Sequence, residues 1–87
     1  MAYTLSPREK DGAEKQVREL VIYARQFRVP LDRWPDDIEA KASIDFAPNV
    51  PYSETVEVNR AFKAEVRRLA LGWVEYYRRH PEMLYGR

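Results

Sequence analysis

Apolar residues recur at helical spacing in two long stretches of the chain and alternate with polar ones in a shorter stretch between them. Ala13, Val17, Leu20, Val21, Ala24 and Phe27 form one stripe, so the spacing predicts an amphipathic helix over residues 6–28. Its start is well marked. Ser6 suits the N-cap, Pro7 the first helical position, and Glu9 follows three residues after the cap. That is a capping box, in which hydroxyl and carboxylate each satisfy a backbone N–H that the helix start leaves free. Gly12 weakens the first turns by about 1 kcal/mol relative to Ala. Val29-Pro30 ends the element, because a residue before proline is pushed out of the helical region.

A second stripe runs through Val58, Phe62, Val66, Leu69, Trp73 and Tyr76 or Tyr77, and predicts a helix over residues 55–79 that His80-Pro81 stops. At 1.5 Å per residue it would be roughly 37 Å long, more than the ~30 Å width of a small domain. Either Gly72 bends it or one end projects, and a projecting end with Trp73, Tyr76 and Tyr77 would need a cover. Trp73 and Tyr76 continue the core stripe, whereas Tyr77 and Tyr85 are the aromatic residues expected at the surface. Ile22 falls on the far side of the first helix, either under the middle segment or in a second contact patch.

Residues 29–54 are proline-punctuated, with Pro30, Pro35, Pro48 and Pro51. Two readings stand there. Trp34-Pro35-Asp36-Asp37 looks like a helix start and Glu, Ala and Lys favour helix, which gives a short helix near Pro35 to Ala42. Alternatively, Ile38, Ala40, Ala42, Ile44 and Phe46 alternate with polar residues, as in a strand that pairs with Thr55-Val56-Glu57-Val58 as a β-hairpin. The expected architecture is mainly α: two long amphipathic helices and a proline-rich connector in one small domain of residues 1–87. Antiparallel packing of the long helices is one arrangement of that kind.

Composition narrows the function classes. The 87 residues are 45% hydrophobic and 13% aromatic with a net charge of +1, which argues for a folded core of about 12 Å radius of gyration. There is no cysteine, so disulfides, thiolate metal sites and thiol catalysis are excluded. No apolar run reaches the ~18 residues of a membrane span, and the first five residues lack a signal pattern, so a cytoplasmic location is expected. Near-neutrality hides an uneven distribution. Residues 1–28 carry six basic and four acidic side chains, residues 57–87 seven and four, and residues 29–56 two and six.

On the second helix Arg60, Lys63, Arg67, Leu71, Val74 and Arg78 fall within an arc of about 80° opposite the core stripe, with Tyr77 at its edge. A basic row with apolar residues at its centre predicts a contact surface for an acidic protein partner. The competing reading is a solvated row, or one paired with Asp32, Asp36, Asp37 and Asp45 of the same chain. Nucleic acid is the second partner class, since arginines along one face could neutralise phosphates. Against it stand a pI of 8.0 and a connector too long for a helix-turn-helix. A homodimer aligning two such rows would favour DNA.

Catalytic chemistry finds no foothold. His80, the sole histidine, sits at a helix end, where its ordinary role is to favour the negative pole of the helix dipole. Asp36-Asp37 reads as helix capping rather than metal binding. The halves of a Pro-Asp and Glu-x-Lys nuclease signature touch in Pro35-Asp36 and Glu39-Ala40-Lys41 instead of lying apart on a hairpin, so the match is chance. Gly12, Gly72 and Gly86 are far apart, and no phosphate-cradling loop exists. No cofactor or metal is expected. The stretch Tyr23-Ala24-Arg25-Gln26-Phe27-Arg28-Val29-Pro30-Leu31, with a basic amphipathic helix later on, resembles the small theta subunit of bacterial replicative polymerases over that stretch alone, and carries no function across. The expected function is non-enzymatic: a small accessory, inhibitor or adaptor protein binding an acidic partner through Arg60, Lys63, Arg67, Leu71, Val74, Tyr77 and Arg78, with a dimeric DNA-binding regulator as the alternative.

Overall fold

The computed structural model describes residues 4–43 and 55–84. Three α-helices follow one another there: α1 (Pro7–Gln26), α2 (Trp34–Lys41) and α3 (Thr55–Arg79). A 3-10 turn at Leu31–Arg33 leads into α2 and another at Pro81–Met83 follows α3. The protein is mainly helical, and no strand occurs among the described residues. The β-hairpin alternative is therefore not supported. Ile38 to Lys41 form the last turn of α2 and Thr55 to Val58 open α3, while Ile44, Asp45 and Phe46 lie outside the described residues. Helix propensity and a start with Pro35, Asp36 and Asp37 outweigh the alternation, because Trp34 and Ile38 reach the core at helical spacing.

Each helix end has a physical cause. The capping box at α1 forms as the sequence predicts: the Ser6 N–H donates to Glu9 Oε1 at 2.7 Å and the Glu9 N–H to Ser6 Oγ at 3.2 Å. At the other end Arg28 adopts φ 55°, in the left-handed region. Its N–H donates to the Arg25 carbonyl at 3.2 Å and the Val29 N–H to the Ala24 carbonyl at 2.9 Å. This is a Schellman turn, a closure that usually employs glycine. It satisfies two carbonyls of the last turn of α1 and points the chain back toward α2.

Trp34 seals the corner. Its side chain is fully buried and its indole N–H donates to the Val29 carbonyl at 2.8 Å. Its ring meets the edge of Tyr77 on α3, with centroids 5.6 Å apart. At the far end of α2, the Gln16 side-chain amide closes a two-way pair with the Ser43 backbone: its Nε2 donates to the carbonyl, and its Oε1 accepts from the Ser43 N–H at 3.0 Å. α2 thus runs back along α1, fixed at both ends.

The long helices run parallel, not antiparallel. Arg25, near the end of α1, donates from Nε to the Leu84 carbonyl at 3.0 Å and from Nη2 to the Met83 carbonyl at 2.9 Å. Leu5 and Lys10, at the other end, share a hollow with Ala61 and Glu65. α2 makes one traverse of its own, so α3 starts again from the end where α1 started. The core lies between the three helices: Ala13, Val17, Val21 and Ala24 from α1, Trp34 and Ile38 from α2, and Phe62, Val66, Ala70, Val74 and Tyr77 from α3. The molecule is long, 46 Å against 21 and 20 Å, so α3 stays unbroken through Gly72 and fits along the major axis.

Replacing Arg28 by glycine removes the side-chain penalty of the left-handed region, about 1–2 kcal/mol, and gives back part of it as unfolded-state entropy. Arg28→Gly is expected to stabilise the protein by about 0.5–1 kcal/mol, a rise of about 3–6 °C in Tm by thermal denaturation.

Candidate functional site

The basic row of α3 does not form one exposed surface. Val74 and Tyr77 are only 4% and 5% exposed and belong to the core. Lys63 is half-buried and its ammonium donates to the Glu39 carbonyl of α2 at 2.8 Å. Arg67 bridges two acids of α2 from one nitrogen, Asp36 at 2.7 Å and Glu39 at 2.9 Å. The Arg67 guanidinium is held protonated beyond its ordinary range by those hydrogen bonds, first Asp36 and then Glu39. Arg60 pairs with Glu57 one turn before it, at 3.2 Å. Leu71, 50% exposed, and Arg78 remain at the surface, and Arg78 has no ion-pair partner among the described residues.

The cause is the number of neighbours. A helix packed on one partner buries one stripe and turns its other side to water. α3 packs on both α1 and α2, so its buried arc is wider and takes in Val58, Phe62, Val66, Ala70, Val74 and Tyr77. Ala70 and Val74 lie on the side that the sequence alone assigns to solvent. The same rotation exchanges the two tyrosines. Tyr77 turns inward, stacked on Trp73 with centroids 6.0 Å apart and with the Arg25 guanidinium 5.3 Å from its ring centre. Tyr76 turns outward and is 38% exposed. Tyr85 lies outside the described residues. Ile22 is exposed on α1, not covered by α2.

Around the helix from the basic row lies an apolar surface at the edge of the core, where Leu69 and Trp73 pack half-buried as the stripe predicts and Tyr76 turns out. Leu69, Gly72, Trp73 and Tyr76 line a hollow of about 460 Å³. Its apolar lining continues to Met83, 48% exposed, whose sulfur accepts a hydrogen bond from the Tyr76 hydroxyl at 3.4 Å. Trp73 and Tyr76 meet edge to face, 6.0 Å between centroids. His80 stands beside the Tyr76 ring at 4.7 Å, its Nδ1 3.8 Å from Glu82. A Cβ added at Gly72 would meet nothing within 4 Å, so this glycine opens the floor of the hollow. The legible signal was Gly72 itself, since an isolated glycine inside a strong helical pattern costs stability without a packing or functional return.

Arginines edge this surface. Arg68 is bidentate to Glu65, Nε at 3.0 Å and Nη2 at 2.6 Å, and Arg79 pairs with Glu75 at 3.2 Å. The Arg68 hydrogen bond holds the Glu65 carboxyl below its ordinary value of 4.5, with Lys10 adding to the effect and partial burial opposing it. A second hollow, about 430 Å³, lies along the same helix toward its start, with Leu5, Ala61 and Ala64 as its apolar part and Lys10, Arg60, Glu65 and Arg68 around them.

No group of three His, Asp or Glu side chains among the described residues is placed to hold a metal ion. No helix among them is long and apolar enough to cross a membrane. Comparison with known proteins finds no match: no family model fits the chain, and no curated protein or solved structure is significantly similar to it.

Two substitutions test these contacts. Arg67→Glu places a third carboxylate against Asp36 and Glu39, so it should lower Tm by loosening α2 from α3, and changing both acids to their amides should recover most of the loss. For Glu65, a depressed folded pKa means that its contribution is complete above the ordinary carboxylate range and is lost as pH falls through the lowered value. Glu65→Gln should therefore be less stable than the parent at neutral pH, and the difference should shrink as pH falls below the ordinary carboxylate range and through the lowered value, read as paired Tm values.

Proposed function

We propose that this chain is a non-enzymatic protein-binding module, a small accessory, inhibitor or adaptor protein, that docks a partner on the C-terminal half of α3. The patch of exposed Gly72, Tyr76 and Met83 with half-buried Leu69 and Trp73 beside them, edged by Arg68 and Arg79, carries this reading. Tyr, Trp, Met and Arg are the residues enriched at protein interfaces, and a central aromatic pair beside a hollow is the usual form of a binding hot spot. Trp73 and Tyr76 are half-ordered already by their mutual edge-to-face contact, which lowers the entropy lost when a partner covers them.

Charge sets the kind of partner. Arg68 and Arg79 edge the patch, and their acids, Glu65 and Glu75, come from the same helix. An exposed pair within one helix, such as Arg79 with Glu75, is worth a few tenths of a kcal/mol, so a partner carboxylate can replace that acid at little cost. An acidic rim on the partner is the complement. The DNA-binding alternative draws less support, because Lys63 and Arg67 are engaged by α2 and phosphate binding needs a run of available cations.

A photoreactive benzoylphenylalanine in place of Tyr76 should yield a covalent adduct of discrete mass in cells. The same group in place of Glu19, exposed on the outer side of α1, should yield none. Equal adducts from both positions, or none from position 76, would remove the patch as a docking surface.

A further inference from the structure

We infer that the occupant of this face is a second copy of the chain, with α3 packed antiparallel on its counterpart across Gly72. The inference rests on the α3 patch being a docking surface and adds which protein covers it. A two-fold axis through an antiparallel helix pair brings each residue before the crossing point opposite the one equally far beyond it, so the surface must complement itself. With the crossing at Gly72, the face of α3 meets that demand at two levels.

At the centre, Gly72 is exposed and has open space above it, which lets two backbones approach closely. Leu69 and Tyr76, one turn to either side, and Trp73 would close around the contact, a spacing that suits ridges packing into grooves. Two turns out, Glu65 lies as far before Gly72 as Arg79 lies beyond it, and both are on the Gly72 side of the helix. Each end of the contact would then pair Glu65 of one copy with Arg79 of the other. Arg68 and Tyr76 are likewise equidistant from Gly72, which sets a guanidinium against an aromatic ring. A parallel pairing would oppose Glu65 to Glu65 and Arg79 to Arg79, and is disfavoured by like charge.

The test is sedimentation equilibrium of the full chain over a range of concentrations at low ionic strength, with helicity and Tm followed alongside. The parent should be a reversible dimer. Glu65→Arg and Arg79→Glu should each weaken the dimer at least tenfold, and the two together should restore it, because the charges are exchanged rather than lost. Gly72→Leu should abolish the dimer while leaving the monomer folded and no less stable, since nothing occupies the space above this residue in the single chain. A parent that stays monomeric, single variants that dimerise like the parent, or a double variant that does not recover would each overturn the pairing. A monomeric parent whose position-76 adduct contains a different protein would overturn this inference and leave the docking surface standing.

Discussion

The indole N–H of Trp34 donating to the Val29 carbonyl is the contact on which the arrangement of the helices depends. A buried indole without an acceptor costs about 1–3 kcal/mol, so the ring stays in the core only if the chain presents a carbonyl there. Val29 presents one because Arg28 turns left-handed and reverses the chain. The reversal, the bond and the edge contact of Trp34 on Tyr77 join the end of α1, the start of α2 and the end of α3 at one point. Gln16 and Ser43 then hold the other end of α2, which leaves it a single direction in which to run.

From that constraint follows the exposure of α3. With α2 lying against it, α3 has two helical neighbours and buries Ala70 and Val74 as well as the expected stripe. Lys63 and Arg67 meet the acids and carbonyl of α2, and their charge is spent inside the molecule. What α3 leaves open is the other flank, where exposed Gly72 and Tyr76 and half-buried Leu69 and Trp73 sit beside Arg68 and Arg79. An apolar surface with an open backbone at its centre is costly for a solitary chain to keep in water. Each side of Gly72 carries an acid and a base, Glu65 with Arg68 before it and Glu75 with Arg79 beyond it, and the proposed two-fold contact would set Glu65 of one copy against Arg79 of the other.

Much of the fold was legible in the residues. Ser6, Pro7 and Glu9 marked the start of α1, the stripe of α3 gave its limits at 55 and 79, and Trp34-Pro35-Asp36-Asp37 marked α2. These are local effects, set by capping and by spacing within one element. The contact surface was less legible. Of the residues on the basic arc, Val74 and Tyr77 are core, Lys63 and Arg67 serve α2, and Leu71, Arg60 and Arg78 stay outside. Helical spacing orders residues around an axis, but how much of that circle is covered depends on neighbours that spacing does not name.

The sequence by itself determined the extent of the two long helices to within a turn, because caps, prolines and apolar period act through bonds and contacts a few residues apart. It also determined that the connector is net acidic and the two long helices net basic. Only the tertiary structure decided that α1 and α3 run parallel, that Tyr77 turns in and Tyr76 out, and that Gly72 opens a hollow rather than a bend. Each of these depends on where a distant segment lies, and that position follows from burying Trp34 with its N–H satisfied.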